Sequence, residues 1–408
     1  MSAGGGGGAA RADVAPPGES AWPAVPGLDL AACGDPVAAT IGYTARRTYR
    51  NDMSGLNSIY SRGRVERSRA LADAVARGDA SAATAALRRV LYHQITRIAV
   101  YRGSTVLAEI GHDPALAPVH GQLRDRSGRV VGRYIFAVQG DGGFAGLTGS
   151  LVNTQVIIRE GARQVQGSLV AGPAEIPDRG PVSHGGITYN AYSFMGRSFT
   201  DHPIRISYLV PPEGVASVCG SSPAETVLNV IAGRATGIYK GELHSLQTHA
   251  AGRIIARSQE MLAAVQSASP DAVGAAIVKL FRTRLHIVRI RVTSGGRLIN
   301  DVGGPAVLAP AAGEFRDPSG LLIGEFLFSL QDDAGYLKLV RVFSGAEVLM
   351  RVGAQQVAGT ISPGPANPPD YGPVSYRGVT YWAFSFPATA FPSSPLRITI
   401  LVVPSRYL

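Results

Sequence analysis

The sequence contains almost no lysine. Only three of its 39 basic residues are lysines, so arginine carries nearly all of the positive charge behind the formal net charge of +10. The arginines are spread along the chain and form no basic run, whereas a nucleic-acid-binding surface gathers its positive charge in a patch or a stripe. No nucleic-acid partner is therefore expected.

Long apolar runs are absent as well. No apolar stretch reaches the ~18–20 residues that a membrane-spanning helix needs, so we expect no membrane-spanning segment in this chain. Residues 1–32 are rich in Gly, Ala and Pro, a composition that predicts a disordered tail. This tail has no apolar run behind a basic start, as a secretory signal would, although Leu30-Ala-Ala-Cys33 resembles a lipoprotein cleavage box.

The sequence also lacks a recognisable catalytic or metal-binding motif. Of the eight histidines, only His244 and His249 lie close together, and metal-ligating pairs on a helix stand three or four residues apart. Asp125 and Asp317 each stand two residues before a Ser-Gly pair and are interpreted as turn residues. We find no phosphate-binding glycine loop and no nucleophile elbow. The sequence therefore predicts a protein that is not an enzyme and has no cofactor or metal.

What the sequence does contain is a tandem repeat of domain size. Residues 180–194 return at 372–386 with 10 of 15 positions identical, and residues 97–210 all have a counterpart 192 positions later. Upstream the offset is 190, so that Ile41 corresponds to Ile231. A unit of this length is a whole domain. We expect two units after the tail, at residues 33–215 and 216–408.

Each unit is predicted to open with a long helix. Apolar residues recur at three- and four-residue spacings over residues 41–75 and 231–265, which predicts helices of roughly 35 residues, about 50 Å long. Ser222 before Pro223 supplies a helix start in the second unit. Shorter helices are expected at Ser81–Tyr92 and Asp271–Arg282.

The rest of each unit reads as β-structure. Hairpins are predicted to turn at Gly103 and at Gly295-Gly296, and the apolar spacing of residues 335–345 suits a short helix. Helices followed by a mainly antiparallel sheet indicate the α+β class. The predicted fold is thus two tandem α+β units, each a long N-terminal helix followed by an antiparallel sheet.

The two cysteines occupy equivalent places in the repeat. Cys33-Gly34 and Cys219-Gly220 each stand just before the opening helix of a unit, and a lipidation signal has no reason to recur inside the chain. If the helices run side by side, a disulfide between Cys33 and Cys219 is possible and would indicate an oxidising compartment. Two unrelated buried thiols are the alternative.

Several polar residues also recur in both units. These pairs are Arg97/Arg289, Arg159/Arg351, Asp178/Asp370, Tyr189/Tyr381 and Arg205/Arg397. The structural interpretation places the arginines on outer strand faces and lets the aspartates cap loops. The functional interpretation places Tyr189 and Tyr381 in a pocket between sheet and helix.

One run of the second unit has a distinctive order of features, from Leu337 through Phe343-Ser-Gly-Ala-Glu-Val-Leu-Met-Arg351 to Gly359-Thr360. Its features are a helix ending in a Ser-Gly turn, a hydrophobic strand, a glycine turn and a second strand. With the long helix and the antiparallel sheet, this run resembles the Cache family, the PAS-like sensor domains of bacterial receptors. The closing residues 186–189 and 378–381 are similar to the Cache strands that contact ligand.

The resemblance implies a small-molecule ligand and an extracytoplasmic location, secreted or in the cell envelope, with a cytoplasmic location left open because no signal peptide is visible. The predicted ligand-binding residues are Arg133, Tyr134, Phe136, Tyr189 and Tyr192 in the first unit and Phe326, Phe328, Tyr381, Trp382 and Phe384 in the second. Glu325 replaces Arg133 and reverses the local charge. We therefore expect the two pockets to bind different ligands, or only one of them to bind. Arg133 and Tyr134 cannot both face a pocket, since side chains alternate along a strand.

The leading hypothesis is a non-enzymatic small-molecule-binding sensor with two Cache/PAS-like domains, acting in signal perception or ligand capture. The alternative is a structural or protein-interaction module of the bacterial cell envelope, in which the long helices could also join two copies as a homodimer. A filled interior between sheet and helix would favour the alternative. A closed cavity with a charged or aromatic rim would favour sensing.

Overall fold

The structure is a computed structural model that describes residues 29–91, 95–111, 114–150, 152–283, 285–304 and 308–408. Residues 1–28 of the predicted disordered tail lie outside the described residues. Its last residues already belong to the first helix, which begins at Leu30. Among the described residues, no helix is both long enough and apolar enough to cross a membrane.

The first unit begins with helices and continues as strands around one further helix. Its elements are α1 (Leu30–Ser54), α2 (Leu56–Arg67), α3 (Arg69–Arg77), α4 (Ala80–Val90), β1 (Arg97–Arg102), β2 (Thr105–Ile110), β3 (Ala115–Leu116), β4 (Val119–Arg124), β5 (Val130–Ala137), β6 (Gln139–Gly140), α5 (Asp141–Gly149), β7 (Gln155–Glu160), β8 (Arg163–Gly167), β9 (Arg179–His184), β10 (Ile187–Arg197) and β11 (Pro203–Val210). A short helix, α6 (Pro212–Ala216), leads to the second unit.

Among its described residues, the second unit repeats this order without strands corresponding to β3 and β6. Its elements are α7 (Pro223–His244), α8 (Leu246–Ala256), α9 (Gln259–Gln266), α10 (Pro270–Phe281), β12 (Arg289–Ser294), β13 (Arg297–Gly303), β14 (Ala311–Arg316), β15 (Leu322–Ser329), α11 (Asp333–Ser344), β16 (Glu347–Val352), β17 (Gln355–Gly359), β18 (Tyr371–Tyr376), β19 (Val379–Ala390) and β20 (Ser394–Val402). A 3-10 turn at Pro404–Arg406 follows.

The α+β class is confirmed, and the strands of each unit form two larger sheets rather than one; in the first unit β3 and β6 also pair as a two-stranded sheet. The first unit has a four-stranded sheet of order β2-β1-β5-β4 and a five-stranded sheet of order β8-β7-β11-β10-β9. The second unit has the corresponding sheets β13-β12-β15-β14 and β17-β16-β20-β19-β18. Helices α5 and α11 lie in the sequence between the two sheets of each unit.

The long opening helices are shorter than predicted. Helix α1 has 25 residues and ends before Gly55, and α7 has 22 residues and ends before Ser245. At the first break the Ser58 hydroxyl donates to the carbonyl oxygen of Asp52. At the second, the Ser245 hydroxyl caps α8 by accepting from the amide of Thr248. Side-chain hydrogen bonds of this kind compete with the helical ladder, so one helix ends and the next begins at each break.

The helices of each unit divide between its two sheets. In the first unit α1 packs on the five-stranded sheet through residues such as Val37 and Ile41. Helices α2–α4 cover one face of the four-stranded sheet, where Leu71 and Leu87 contact the strands. Helix α7 and helices α8–α10 make the same two cores in the second unit.

The two units pack on each other through their opening helices. Helix α1 contacts α7 and α11, and Cys33 is joined to Cys219 by a disulfide with Cα atoms 5.7 Å apart. The guanidinium of Arg47 donates to the carbonyl oxygen of Arg341 at 3.0 Å, near the C-terminal end of α11. Arg234 of α7 donates in turn to the Ser150 hydroxyl at 2.9 Å, just after α5.

Candidate functional site

The interior between each four-stranded sheet and its helices is filled with aromatic side chains. Tyr134 and Phe136 are fully buried, and the Tyr134 hydroxyl donates to Glu66 of α2 at 2.7 Å. Phe326 and Phe328 occupy the equivalent core of the second unit with 2% and 1% of their surface exposed. These four predicted ligand contacts therefore lie in packed cores.

The other predicted aromatic residues belong to the five-stranded sheets. The ring of Tyr192 packs against Gly42 of α1, where any larger side chain would collide with it, whereas Tyr189 faces the opposite side with Ile157 and Ile176. In the second unit Trp382 and Phe384 pack toward the core around α7, and Tyr381 lies on the other face. The structure does not bring these residues together with those of the four-stranded sheets. Their role in ligand binding stays a prediction.

One pair of repeated arginines, Arg159 in the first unit and Arg351 in the second, donates hydrogen bonds to a loop of its own unit. Arg159 donates to the carbonyl oxygens of Ala174 and Gly172 at 2.6 and 3.2 Å. Arg351 is 8% exposed and donates to the carbonyl oxygens of Pro365 and Ala366. These contacts recur in the loop that precedes β9 or β18, so they fit a structural role.

The aspartates of the same loops pair with arginine. The Arg205 guanidinium lies 2.6 Å from Asp178, and Arg397 pairs with Asp370 in the same way. The repetition of these polar residues thus reflects how each loop is attached to its sheet.

A third repeated arginine ties the two sheets of a unit to each other. Arg97 forms an ion pair with Glu109 at 2.6 Å, and its guanidinium lies 4.4 Å from the ring centre of Phe199 in the β10–β11 turn. Arg289 pairs with Asp301 at 2.8 Å and lies 4.6 Å from the ring centre of Phe391. Both partners of this arginine recur in the second unit 192 positions later, Glu109 as Asp301 and Phe199 as Phe391. A comparison of the two repeats could have identified this group from the sequence.

A surface difference between the units lies on the four-stranded sheet of the second unit. We call the face of this sheet that points away from α8–α10 the open face. It forms a concavity of about 630 Å³, within the size range of small-molecule sites. The concavity is lined by Arg291, Thr293, Ala312, Gly313, Glu314, Glu325, Phe326 and Leu327.

The open face carries a carboxylate without a partner of opposite charge. Glu325 stands directly across from Glu314 on β14 and from Thr293 on β12. Glu314 pairs with Arg316 at 2.6 Å, but no ion pair of Glu325 exists within the part of the chain that the structure describes. Like charges directly opposite each other on a sheet are unfavourable, so a cation placed here would reduce the repulsion between the two carboxylates.

A cationic side chain lies beside this carboxylate. The Arg291 guanidinium is 3.9 Å from Asp301, whose shorter contact is with Arg289. Arg291 is therefore only weakly engaged. The open face presents a negative and a positive group within one concavity.

The first unit covers the equivalent surface with its own side chains. Arg133 and Tyr101 stand opposite each other there, and the guanidinium stacks 4.7 Å from the ring centre. The second unit has Glu325 and Thr293 at these positions. Sequence analysis identified the Arg133/Glu325 difference but missed Arg291, Thr293 and Glu314, because it grouped aromatic residues that the fold buries.

Among the described residues, no cluster of three or more His, Cys, Asp or Glu side chains could hold a metal ion. Asp125 and Asp317 lie in turns, where each carboxylate accepts from the backbone amide two residues later, at 3.0 and 2.8 Å. The Ser127 and Ser319 hydroxyls donate to the same carboxylates at 2.6 Å, and these hydrogen bonds, followed by those from the backbone, lower the pKa of both carboxyl groups. The prediction that they are turn residues is confirmed.

Comparison with known proteins gives distant similarities. No family model and no curated protein matches the chain. The crystal structure of the Vibrio cholerae LuxQ periplasmic domain aligns with 43% of this chain and 98% of its own, at 11% identity and a TM-score of 0.31. An extracellular ligand binding receptor from Desulfohalobium retbaense aligns with 54% of this chain and 47% of its own, at 10% identity and a TM-score of 0.28. At these TM-scores neither similarity carries an argument about function.

Proposed function

We propose that the protein binds a small polar molecule on the open face of its second unit and acts in signal perception or ligand capture. The observation that carries the proposal is the replacement of the Arg133–Tyr101 stack by Glu325 and Thr293. This replacement leaves a concavity of about 630 Å³ with an unpaired carboxylate. Binding alone accounts for these features, and no catalytic step is needed.

The charges of the open face favour a ligand with a cationic group. A ligand ammonium placed at Glu325 would relieve the repulsion from Glu314. A carboxylate or carbonyl oxygen of the same ligand would accept a hydrogen bond from Arg291. Such a bond is strong because its donor is charged. Such a molecule is compact and polar, with its positive end toward β14.

We infer an extracytoplasmic location for the protein. A disulfide between Cys33 and Cys219 persists in an oxidising compartment and is rare in the cytosol. The location agrees with the expectation from the family resemblance. Mass analysis of the native protein under reducing and non-reducing conditions tests it, and two free thiols would contradict it.

A thermal-shift screen against amino acids, carboxylates, polyamines and purines tests the binding proposal. A ligand that binds the folded state raises the unfolding midpoint in a dose-dependent way. We expect a shift for at least one cationic or zwitterionic compound, at least tenfold weaker binding in Glu325→Gln, and unchanged binding in the matched first-unit variant Arg133→Gln. No shift across the panel, or an equal shift in Glu325→Gln, would contradict the proposal.

A second candidate function is supported by the filled interiors of both units. Tyr134, Phe136, Phe326 and Phe328 leave little space between sheet and helices, and such packing suits a structural or interaction module. This function predicts a stable self-assembly in solution, visible by light scattering, together with no response to the ligand panel.

A further inference from the structure

A separate polar cavity lies between the two sheets of the first unit. Its volume is about 330 Å³, and its walls come from β1, β3, α5, β7, β8, the β10–β11 turn and β11. The polar side chains in these walls are Arg97, Asp141, Glu160, Arg163, Gln164, Ser198 and Thr200. Its lining residues belong to the first unit, so it is distinct from the open face.

Asp141 is the unusual side chain of this cavity. It is 5% exposed, and its Oδ1 atom is buried with no hydrogen-bond partner among the described residues. Its backbone amide donates to the carbonyl oxygen of Pro114 at 3.0 Å, which fixes the start of α5. A buried ionised carboxylate without a partner is costly, and a bound donor would remove that cost.

The other charged groups of the cavity already have partners. Arg97 pairs with Glu109 at 2.6 Å and stacks on Phe199. Glu160 accepts from Arg163 at 2.8 Å and contacts His202 Nδ1 at 2.6 Å. Within the described lining, Asp141 is therefore the charged side chain that forms no ion pair.

The second unit keeps the buried acid but not the polar surroundings. Asp333 corresponds to Asp141 and is 8% exposed. The positions of Glu160, Arg163 and Thr200 are occupied there by Val352, Gln355 and Pro392. Both units therefore have the buried aspartate, but only the first unit surrounds it with these polar side chains.

We propose that the inter-sheet cavity of the first unit binds a compact primary amine whose ammonium group pairs with Asp141. An ammonium supplies three donors and a positive charge, and the unpartnered Oδ1 atom accepts one of those donors. A cavity of about 330 Å³ limits the ligand to a small molecule. The remaining polar atoms of the ligand would lie beside Thr200 and Arg163.

Isothermal titration with ethanolamine and putrescine tests this proposal. The full chain is used with the Glu325→Gln substitution, so that the open face does not contribute to binding. We expect saturable binding at pH 7.5, and at least tenfold weaker binding after Asp141→Asn. The matched variant Asp333→Asn should keep the affinity, and ethylene glycol, which has no charge, should not bind.

The pH dependence provides a second readout. Burial raises the pKa of Asp141 to about 6, although Arg97 acts in the opposite direction, so amine binding should weaken by about tenfold between pH 7.5 and pH 5. Glu160 and Arg163 also line the cavity, and His202 contacts Glu160. The pH effect should persist in His202→Gln if Asp141 is the responsible group.

Two outcomes would overturn the proposal. One is the absence of saturable amine binding, and the other is equal affinity in Asp141→Asn. If Asp141→Asn does not fold, Thr200→Phe narrows the cavity without touching the acid, and unchanged binding in that variant would also overturn the proposal. Because every protein in this titration carries Glu325→Gln, its result is independent of the open face.

Discussion

Asp52 and Asp141 show at the residue scale how burial sets the charge state of a carboxyl group. Asp52 is 8% exposed with a buried, unpartnered Oδ2 atom, and burial raises its pKa to about 7. The corresponding residue of the second unit, Glu242, also has a pKa raised by burial. A carboxyl group with a higher pKa in the folded state costs stability as pH rises from about 4 to about 7, and costs nothing below that window.

We therefore expect Asp52→Asn to stabilise the protein at pH 8, by about 1–3 kcal/mol, because the variant buries no charge. At pH 4 the carboxyl group is protonated in the folded state and about half protonated in the unfolded state, so most of the difference should disappear. Urea unfolding at the two pH values measures both quantities.

Asp79→Asn is the matched control with the opposite sign. Asp79 caps α4 by accepting from the amide of Ala82 at 2.9 Å, and this contact lowers the pKa of its carboxyl group. Its replacement should destabilise the protein at pH 8, and the effect should fade as pH falls. If Asp52→Asn raised the free energy of unfolding equally at pH 4 and pH 8, the raised pKa of Asp52 would not be the cause, and the prediction would be contradicted.

At the scale of elements, the arginine-held loops explain why polar residues recur in both units. The loop before β18 lacks regular structure and is attached to β16 through the carbonyl contacts of Arg351. Removing a buried donor to several carbonyl oxygens leaves those oxygens unsatisfied. The loop therefore depends on one side chain of the neighbouring sheet.

Arg351→Met keeps the apolar stem and should lower the free energy of unfolding by about 2–4 kcal/mol. Faster amide exchange in residues 360–370 should accompany the loss. Arg341→Met is the control, since that side chain is 57% exposed with only a 3.9 Å contact to Glu347, and its effect should stay within about 0.5 kcal/mol. If both variants lost the same free energy of unfolding, the contacts of Arg351 with the loop would not be what stabilises it.

Local patterns predicted several elements well. Ser222 caps α7 with Pro223 in its first turn, helices α4 and α10 lie within two residues of the predicted limits, and Gly103 turns its hairpin with a positive φ of 61°. The breaks after α1 and α7 were missed, because apolar spacing continues across them. The division of strands between two sheets was also missed, since pairing partners such as β1 and β5 are distant in sequence.

The candidate site was only partly predictable for a related reason. Alternation along β5 and β15 separates Arg133 and Glu325 from their buried neighbours Tyr134 and Phe326. The sequence could not show which face the helices cover. The predicted set therefore included aromatic residues that form the cores. It also included Arg133, and the counterpart of that residue in the second unit, Glu325, lies on the open face.

At the scale of the whole molecule, the two units pack through α1 and α7, and the Cys33–Cys219 disulfide lies at the start of that contact. The helical faces that could have joined two chains are in contact within one chain. The homodimer through the long helices is not supported. We retain residues 33–215 and 216–408 as the proposed limits of the units.

Reduction of the disulfide should lower the free energy of unfolding by about 2–5 kcal/mol, because it closes a long loop in the unfolded chain. The bonded residues are 186 positions apart and each is 7% exposed. Urea unfolding with and without a phosphine reductant measures the loss. The double variant Cys33→Ala/Cys219→Ala is the control and should not respond to reductant. An equal response in both proteins would contradict the role of the disulfide.

The central claim is that the second unit binds a ligand where the first unit covers its own sheet. The direct test is calorimetric titration of the best compound from the ligand panel into wild-type protein and into Thr293→Tyr/Glu325→Arg, which restores the side chains of the first unit. The account predicts saturable binding to the wild type and a loss of at least tenfold in the double variant. Equal affinity in the two proteins, or no binding to the wild type, would contradict it.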